Sequence, residues 1–219
     1  MSYTSPEWEK AALIIIDTQN DFALPDAPAE IAGTYDAVPN MKRLVDAFRR
    51  TGLPVIHVVR LYLPDGSNVD LCRKSSIEAG LHIVAPGSFG ADVVTELLPS
   101  EGIRLDAHTL LSGNLQQLGQ KEWAMYKPRW GAFYKTPLER FLHEQGVSTL
   151  VFCGCNFPNC PRTSIYEASE RDFRTVLATD AISGLYDRGA QELERIQVAL
   201  ETTDRIVQLL NEQTVNASN

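Results

Sequence analysis

Ala11-Ala-Leu-Ile-Ile-Ile16, followed at once by Asp17-Thr-Gln-Asn-Asp-Phe22, is the stretch from which the fold is read. Six apolar residues in a row, three of them β-branched, suit a strand buried on both faces, and the polar step at Asp17 ends it. The same design recurs. Pro54–Val59 (PVIHVV) stops at Arg60, Trp123–Tyr126 stops at Lys127, and Thr149–Cys153 (TLVFC) stops at Gly154. Thr175–Ala178 leads into Thr179-Asp180.

Helical patterns lie between these runs. Val38–Arg50 carries Met41, Leu44, Val45 and Phe48 on one stripe, and Ala91–Leu98 is a weaker candidate. Thr136–Gln145 offers Thr136 as a cap, Pro137 as the first helical residue, Glu139 for a capping box and Gly146 as a stop. Pro161–Asp172 and Arg188–Leu210 complete the set. Strands alternating with helices predict an α/β fold of three layers, α/β/α, with a mainly parallel, Rossmann-like sheet. One domain is expected over residues 1–219, with its core at about 11–210. Val69–Gln120 has no clear pattern, and the polar tail from Asn211 is expected to fray.

Composition excludes several function classes. With 20 basic and 28 acidic residues the net charge is −8, which disfavours nucleic acid and anionic membrane as partners. Arg49-Arg50 reads as a helix-end pair and Arg73-Lys74 is isolated. The first ten residues, MSYTSPEWEK, lack the basic flank of a signal peptide, and Ala11–Ile16 is too short for a membrane span. Of the four cysteines, Cys153, Cys155 and Cys160 fall within eight positions, which suits reduced thiols in a cytoplasmic protein better than a disulfide framework.

Ligands of open parallel sheets bind beyond the carboxyl ends of the strands, and Asp17, Arg60, Lys127 and Gly154–Cys160 share that address. Cys160 precedes Pro161, so a helix N-cap is expected there, where the dipole and free N–H groups favour a thiolate and an oxyanion. A small buried thiol at a turn is the bland alternative. Asp17 reads as a proton acceptor or as a turn former, and Lys127 as a charge partner or as a solvated surface lysine. Phe22, Arg60, Tyr62, Trp130, Asn156 and Phe157 flank these motifs and are expected to neighbour a small-molecule substrate.

Together these motifs resemble the isochorismatase-like cysteine hydrolase family, which includes nicotinamidases and carbamoylsarcosine amidohydrolases. The likeness spans roughly Ala11 to Leu210. It rests on Asp17–Phe22, on Lys127-Pro-Arg-Trp-Gly-Ala-Phe133 with Thr136 and Leu138, and on Gly154 six residues before Cys160. Beyond these come Glu167-Ala168 and Arg171-Asp172. The resemblance implies a catalytic set of Asp17, Lys127 and Cys160, a cis peptide between Cys155 and Asn156, and an oxyanion hole from the backbone N–H groups of Asn156 and Cys160. It also implies cleavage of a C–N bond in a small amide or ureide through a Cys160 thioester, and assembly as a homo-oligomer.

The chain departs from that pattern in places. Metal-dependent nicotinamidases carry Asp-x-His after the second strand, where this chain has His57-Val-Val-Arg-Leu-Tyr. His57 reads as a core residue, His82, His108 and His143 are scattered, and neither a metal nor another cofactor is expected. Asn156-Phe-Pro-Asn159 also differs from the commoner Ala-Thr-Asn/Asp-Val, and Leu105–Glu122 reads as an insertion serving as lid or interface. Two other functions stay open: vinyl-ether hydrolysis of the isochorismatase type, which does without the cysteine, and a redox or metal-binding module of Cys153, Cys155 and Cys160. Against the latter, Cys-x-Cys is not the redox spacing.

Overall fold

The computed structural model describes residues 2–216. Seven strands form one sheet: β1 (Ala11–Ile16), β2 (Val55–Val59), β3 (Gln116–Gly119), β4 (Glu122–Tyr126), β5 (Thr149–Gly154), β6 (Arg174–Ile182) and β7 (Ala199–Glu201). Their order is β3-β4-β2-β1-β5-β6-β7, and every pairing is parallel except β3 with β4. The helices are α1 (Asn20–Ala23), α2 (Thr34–Thr51), α3 (Leu71–Glu78), α4 (Ala107–Leu111), α5 (Leu138–Glu144), α6 (Cys160–Ser169), α7 (Asp187–Arg195) and α8 (Thr203–Asn216).

The continuous apolar runs are buried on both faces. Along β1, Ala11, Leu13 and Ile15 pack into one core, while Ala12, Ile14 and Ile16 pack into the other. β5 divides likewise, Val151 and Cys153 against Leu150 and Phe152. α2 and α8 cover the first face with Met41, Leu44, Phe48, Ile206 and Leu210; α5, α6 and α7 cover the second with Leu138, Leu142, Ile165 and Leu193. α2 stops at Gly52, whose left-handed φ of 67° lets its N–H reach the carbonyl of Arg49, while the N–H of Leu53 reaches that of Phe48.

From β1 the chain steps to β2 and β4 on one side and to β5, β6 and β7 on the other. The switch point therefore falls between β1 and β5, where a crevice opens at their carboxyl ends. Gly154 lets the two strands close there. Its φ is 113°, and a Cβ would run into the backbone of Ile16.

Several expectations are corrected. Arg188–Leu210 is not one helix: Gln197 adopts φ 65°, and the chain forms the short edge strand β7 between α7 and α8. Ala91–Leu98 is not a helix either. Asp92 is extended, its carbonyl accepts from the N–H of Asn20, and Val93 bridges Gln19, leaving two 3-10 turns, Phe89–Ala91 and Thr95–Leu97. No capping box forms at α5, because the Thr136 hydroxyl donates to the Ala132 carbonyl at 2.6 Å and Pro137 takes the cap position. Leu105–Glu122 supplies α4 and the edge strand β3, and Leu110 is wholly buried in this chain's own core. The fraying tail is helical in α8 as far as Asn216; the expectation for residues 217–219 lies outside the described residues.

Candidate active site

Asp17, Lys127 and Cys160 are brought together by three different elements. Asp17 ends β1 in a left-handed conformation, φ 49°, with its N–H on the Val58 carbonyl at 2.8 Å. Lys127 follows β4 and is wholly buried, donating through Nζ to Asp17 Oδ2 at 2.8 Å and to the Arg129 carbonyl at 3.3 Å. The other oxygen, Asp17 Oδ1, is buried and has no hydrogen-bond partner. Cys160 is the first residue of α6. The cap position is Asn159, one residue earlier than expected for a cap at Cys160.

The loop after Lys127 is fixed to α6 by side chains rather than by sheet pairing. Ser164 Oγ accepts from the Ala132 N–H at 3.0 Å and donates to the Cys160 carbonyl at 2.7 Å. Glu167 accepts from the Phe133 N–H at 2.9 Å, and a Cβ on Gly131 would collide with its carboxylate. The motifs around Lys127 and Cys160 thus register on one another.

The peptide bond between Cys155 and Asn156 is cis. The N–H of Cys155 bonds the Ile16 carbonyl, and that of Phe157 bonds the Ser183 carbonyl. Among the described residues no acceptor takes the N–H of Asn156 or Cys160. Two donors are therefore free at the start of α6, where the helix dipole also favours negative charge.

Burial pushes the Cys160 thiol up, and the Asp17 charge adds to it; Lys127 and Arg60 pull the other way without prevailing. The surroundings of Cys160 thus favour the thiol, against the pull of the helix start toward a thiolate, and proton removal becomes part of the chemistry. Burial raises the Cys153 and Cys155 thiols as well, and the Cys155 Sγ donates to the Asp17 carbonyl at 3.1 Å. All four cysteines are free.

Phe22, Arg60, Tyr62, Trp130 and Asn156 line the cavity over Cys160. Phe157 does not. It is fully buried beneath Gly189, ring against Tyr186 at 5.5 Å, because its N–H bond to Ser183 turns it into the core. No residue of Leu105–Glu122 lines the cavity, so that segment is no lid over it. Arg60 is buried with its guanidinium 5.3 Å from the Trp130 ring, Nη1 on Asp70 Oδ2 at 2.9 Å and Nη2 3.7 Å from the Cys160 Sγ. Burial works against its charge, but the carboxylates of Asp17 and Asp70 favour it, and the net effect raises the Arg60 guanidinium.

Sequence reasoning missed Gln19, Asp70 and Arg73. Gln19 clamps the backbone of Arg60, accepting from its N–H and donating to its carbonyl, both at 2.7 Å. Asp70 and Arg73 come from α3 and its cap, in the stretch without a readable pattern. The cavity is narrow, about 10 Å³, and opens to the surface.

The Asp-x-His metal site of zinc-dependent relatives has no counterpart in these side chains. His57 lies inside β2 with Nε2 on Glu122 Oε1 at 2.7 Å, and Glu122 is also held by Arg49. Among the described residues no three His, Cys, Asp or Glu gather as a metal would need, and no helix is long and apolar enough to cross a membrane.

Comparison with known proteins fits this geometry. A family model described as the isochorismatase domain matches residues 11–205. A protein of Arabidopsis thaliana named as a probable inactive nicotinamidase is 34% identical over 178 residues, 80% of this chain and 81% of that one. An N-carbamoylsarcosine amidase of Arthrobacter is 24% identical, covering 92% of this chain and 72% of that one. The crystal structure of an isochorismatase family protein from Desulfovibrio vulgaris superposes with a TM-score of 0.78 at 30% identity, covering 92% of this chain and 98% of that one. A chain matched over most of its length by that family's model, and built on the same sheet, belongs to the isochorismatase family.

Proposed function

We propose that this protein hydrolyses a C–N bond of a small amide or ureide through a thioester on Cys160. One observation carries the reading: the Cys160 thiol shares a buried cavity with a carboxylate, Asp17, whose Oδ1 has no partner while Oδ2 is held by Lys127. An unsatisfied buried carboxylate oxygen is costly, and a role as proton acceptor is one reason for a protein to keep it. Asp17 takes the thiol proton as the sulfur attacks the carbonyl carbon. Lys127 holds Asp17 Oδ2 in place, and the negative carbonyl oxygen is received by the N–H groups of Asn156 and Cys160. The C–N bond then breaks, and the nitrogen leaves with the proton from Asp17. Water, deprotonated by Asp17, attacks the thioester carbon, and the acid departs as Cys160 regains its thiol.

Relatives named for amide hydrolysis support this class of reaction, among them the N-carbamoylsarcosine amidase. A catalytically inert protein is the rival reading, favoured by the narrow cavity and by the name of the Arabidopsis relative. A panel of primary amides, ureides and N-acyl compounds separates the two, with ammonia or amine release as the readout and Cys160→Ala as control. Turnover that disappears in the variant is the expected result. No release from any compound, or release that persists in Cys160→Ala, contradicts the proposal.

A further inference from the structure

We infer that Arg60 is a catalytic partner of the Cys160 sulfur: its guanidinium receives the negative charge that the sulfur carries when its proton leaves. The catalytic part of this role rests on the hydrolase reading, whereas the pairing itself rests on geometry alone.

Arg60 follows β2 and is only 2% exposed, a costly place for a cation. Its two terminal nitrogens are divided. Nη1 donates to Asp70 Oδ2 at 2.9 Å, and Nη2 donates to the Cys160 Sγ at 3.7 Å. Among the described residues no other cationic side chain donates to that sulfur. Lys127 gives its ammonium protons to Asp17 Oδ2 and the Arg129 carbonyl instead.

The guanidinium is aimed by what surrounds it. Gln19 holds its backbone at both the N–H and the carbonyl. Asp70 caps α3, and the Tyr62 hydroxyl donates to the same Oδ2 at 3.2 Å, which fixes the carboxylate that Nη1 meets. The rings of Trp130 and Tyr62 lie 5.3 and 5.9 Å from the guanidinium carbon. A planar fork anchored at one terminal nitrogen points the other in a set direction, here at the sulfur. A tie between β2 and α3 needs only Nη1 and Asp70, and gives no reason for the second nitrogen to face a thiol.

A guanidinium has donors and no acceptor, so the thiol proton cannot point at it. The proton turns instead toward Asp17, whose Oδ1 is buried without a partner. The other charged or titratable groups around Cys160 are Asp17, Lys127 and Cys155, with Tyr62, Asp70 and Arg73 beyond them. At rest, burial and the Asp17 charge favour the thiol against Lys127 and Arg60. Once Asp17 has taken the proton its own charge is gone, and the sulfur faces cations alone. The attraction of Arg60 therefore grows as the sulfur's electron pair begins the C–S bond. It grows again when water attack breaks that bond, the pair returns to sulfur, and Asp17 gives back the proton. An interaction that strengthens only there raises kcat rather than substrate binding.

Three variants test this: Arg60→Lys, Arg60→Gln, and Arg60→Met combined with Asp70→Asn, which removes both buried charges and strands neither. Titration of the Cys160 thiol is read from thiolate absorbance. Each protein is measured against the same protein carrying Cys160→Ala, so the other three thiols cancel. In Arg60→Gln the thiol should titrate about 1–3 pH units above the parent, the usual effect of losing an adjacent opposite charge. The double variant should move the same way by less, because the repulsion of Asp70 goes with it, and Arg60→Lys should stay nearer the parent. With an amide that is turned over, Arg60→Gln should lose about 10–100-fold in kcat, the worth of a hydrogen bond to a charged group, with KM little changed. A thiol that titrates with the parent's in both neutral variants overturns the inference. So does a loss carried by KM with kcat intact, which makes Arg60 a substrate ligand instead. If no amide is turned over, the hydrolase reading fails by itself, and the absorbance shift alone upholds or overturns the pairing.

Discussion

Lys127→Met should unfold at a markedly lower temperature and lose most of its turnover. Lys127 is wholly buried, and its ammonium is the only cation within hydrogen-bond distance of Asp17 among the described residues. Met keeps the length of the side chain, so cavity formation contributes little. What remains is a buried carboxylate with neither oxygen satisfied, since Asp17 Oδ1 has no partner even in the parent. Breaking one side of a buried ion pair costs about 3–5 kcal/mol. At about 2–4 °C per kcal/mol for a domain of this size, the melting temperature should fall by roughly 6–20 °C. Without Lys127 nothing holds Asp17 Oδ2 in place as the proton acceptor, so amide turnover should drop by about 10²-fold or more. Scanning calorimetry and steady-state rates measure the two effects separately. A variant that melts within a few degrees of the parent and turns over normally would show that the pair matters to neither fold nor chemistry.

Asp17→Asn acts on the proton rather than on the fold. The amide is nearly isosteric and can occupy the same turn, but it cannot accept the thiol proton. That proton is held firmly, because burial and Asp17 itself keep the Cys160 thiol above its usual range. Turnover should fall by about 10²–10⁴-fold, the usual worth of a positioned proton acceptor. With Asp17 neutral, one of the influences raising the thiol is gone, and Lys127 and Arg60 still pull it down. The Cys160 thiol should therefore titrate at lower pH in the variant even as activity is lost, as read from thiolate absorbance or from the pH dependence of alkylation. A folded Asp17→Asn protein with near-normal kcat would remove Asp17 from the mechanism.

The parts of the fold that could be read from sequence were those where one local signal dominates. Ala11–Ile16 and Thr149–Cys153 are apolar without interruption because both faces of the sheet are covered, and each ends at a polar residue or glycine that the crevice requires. Asp17, Lys127 and Cys160 were legible for the same reason, since each follows directly from a strand end or a helix start. Residues placed by long-range contacts were not. Arg73 reaches the cavity because α3 lies over it, and Gln19 shows its purpose only once Arg60 stands opposite. Phe157 looked like a pocket residue because it neighbours Cys160 in sequence, yet its backbone bond to Ser183 turns it inward. The helix read through Arg188–Leu210 failed at Gln197, where a left-handed residue breaks a pattern that its apolar spacing would have allowed.

The covalent intermediate offers the most direct test of the thioester pathway. An amide found active in the panel would be mixed with the protein, quenched in acid during turnover and measured by intact and peptide mass spectrometry. The result expected is added mass equal to the acyl fragment, on the peptide containing Cys160, released by hydroxylamine and absent from Cys160→Ala. Steady turnover with no adduct on Cys160, together with a Cys160→Ala variant that works within tenfold of the parent, would contradict a nucleophilic role for that thiol.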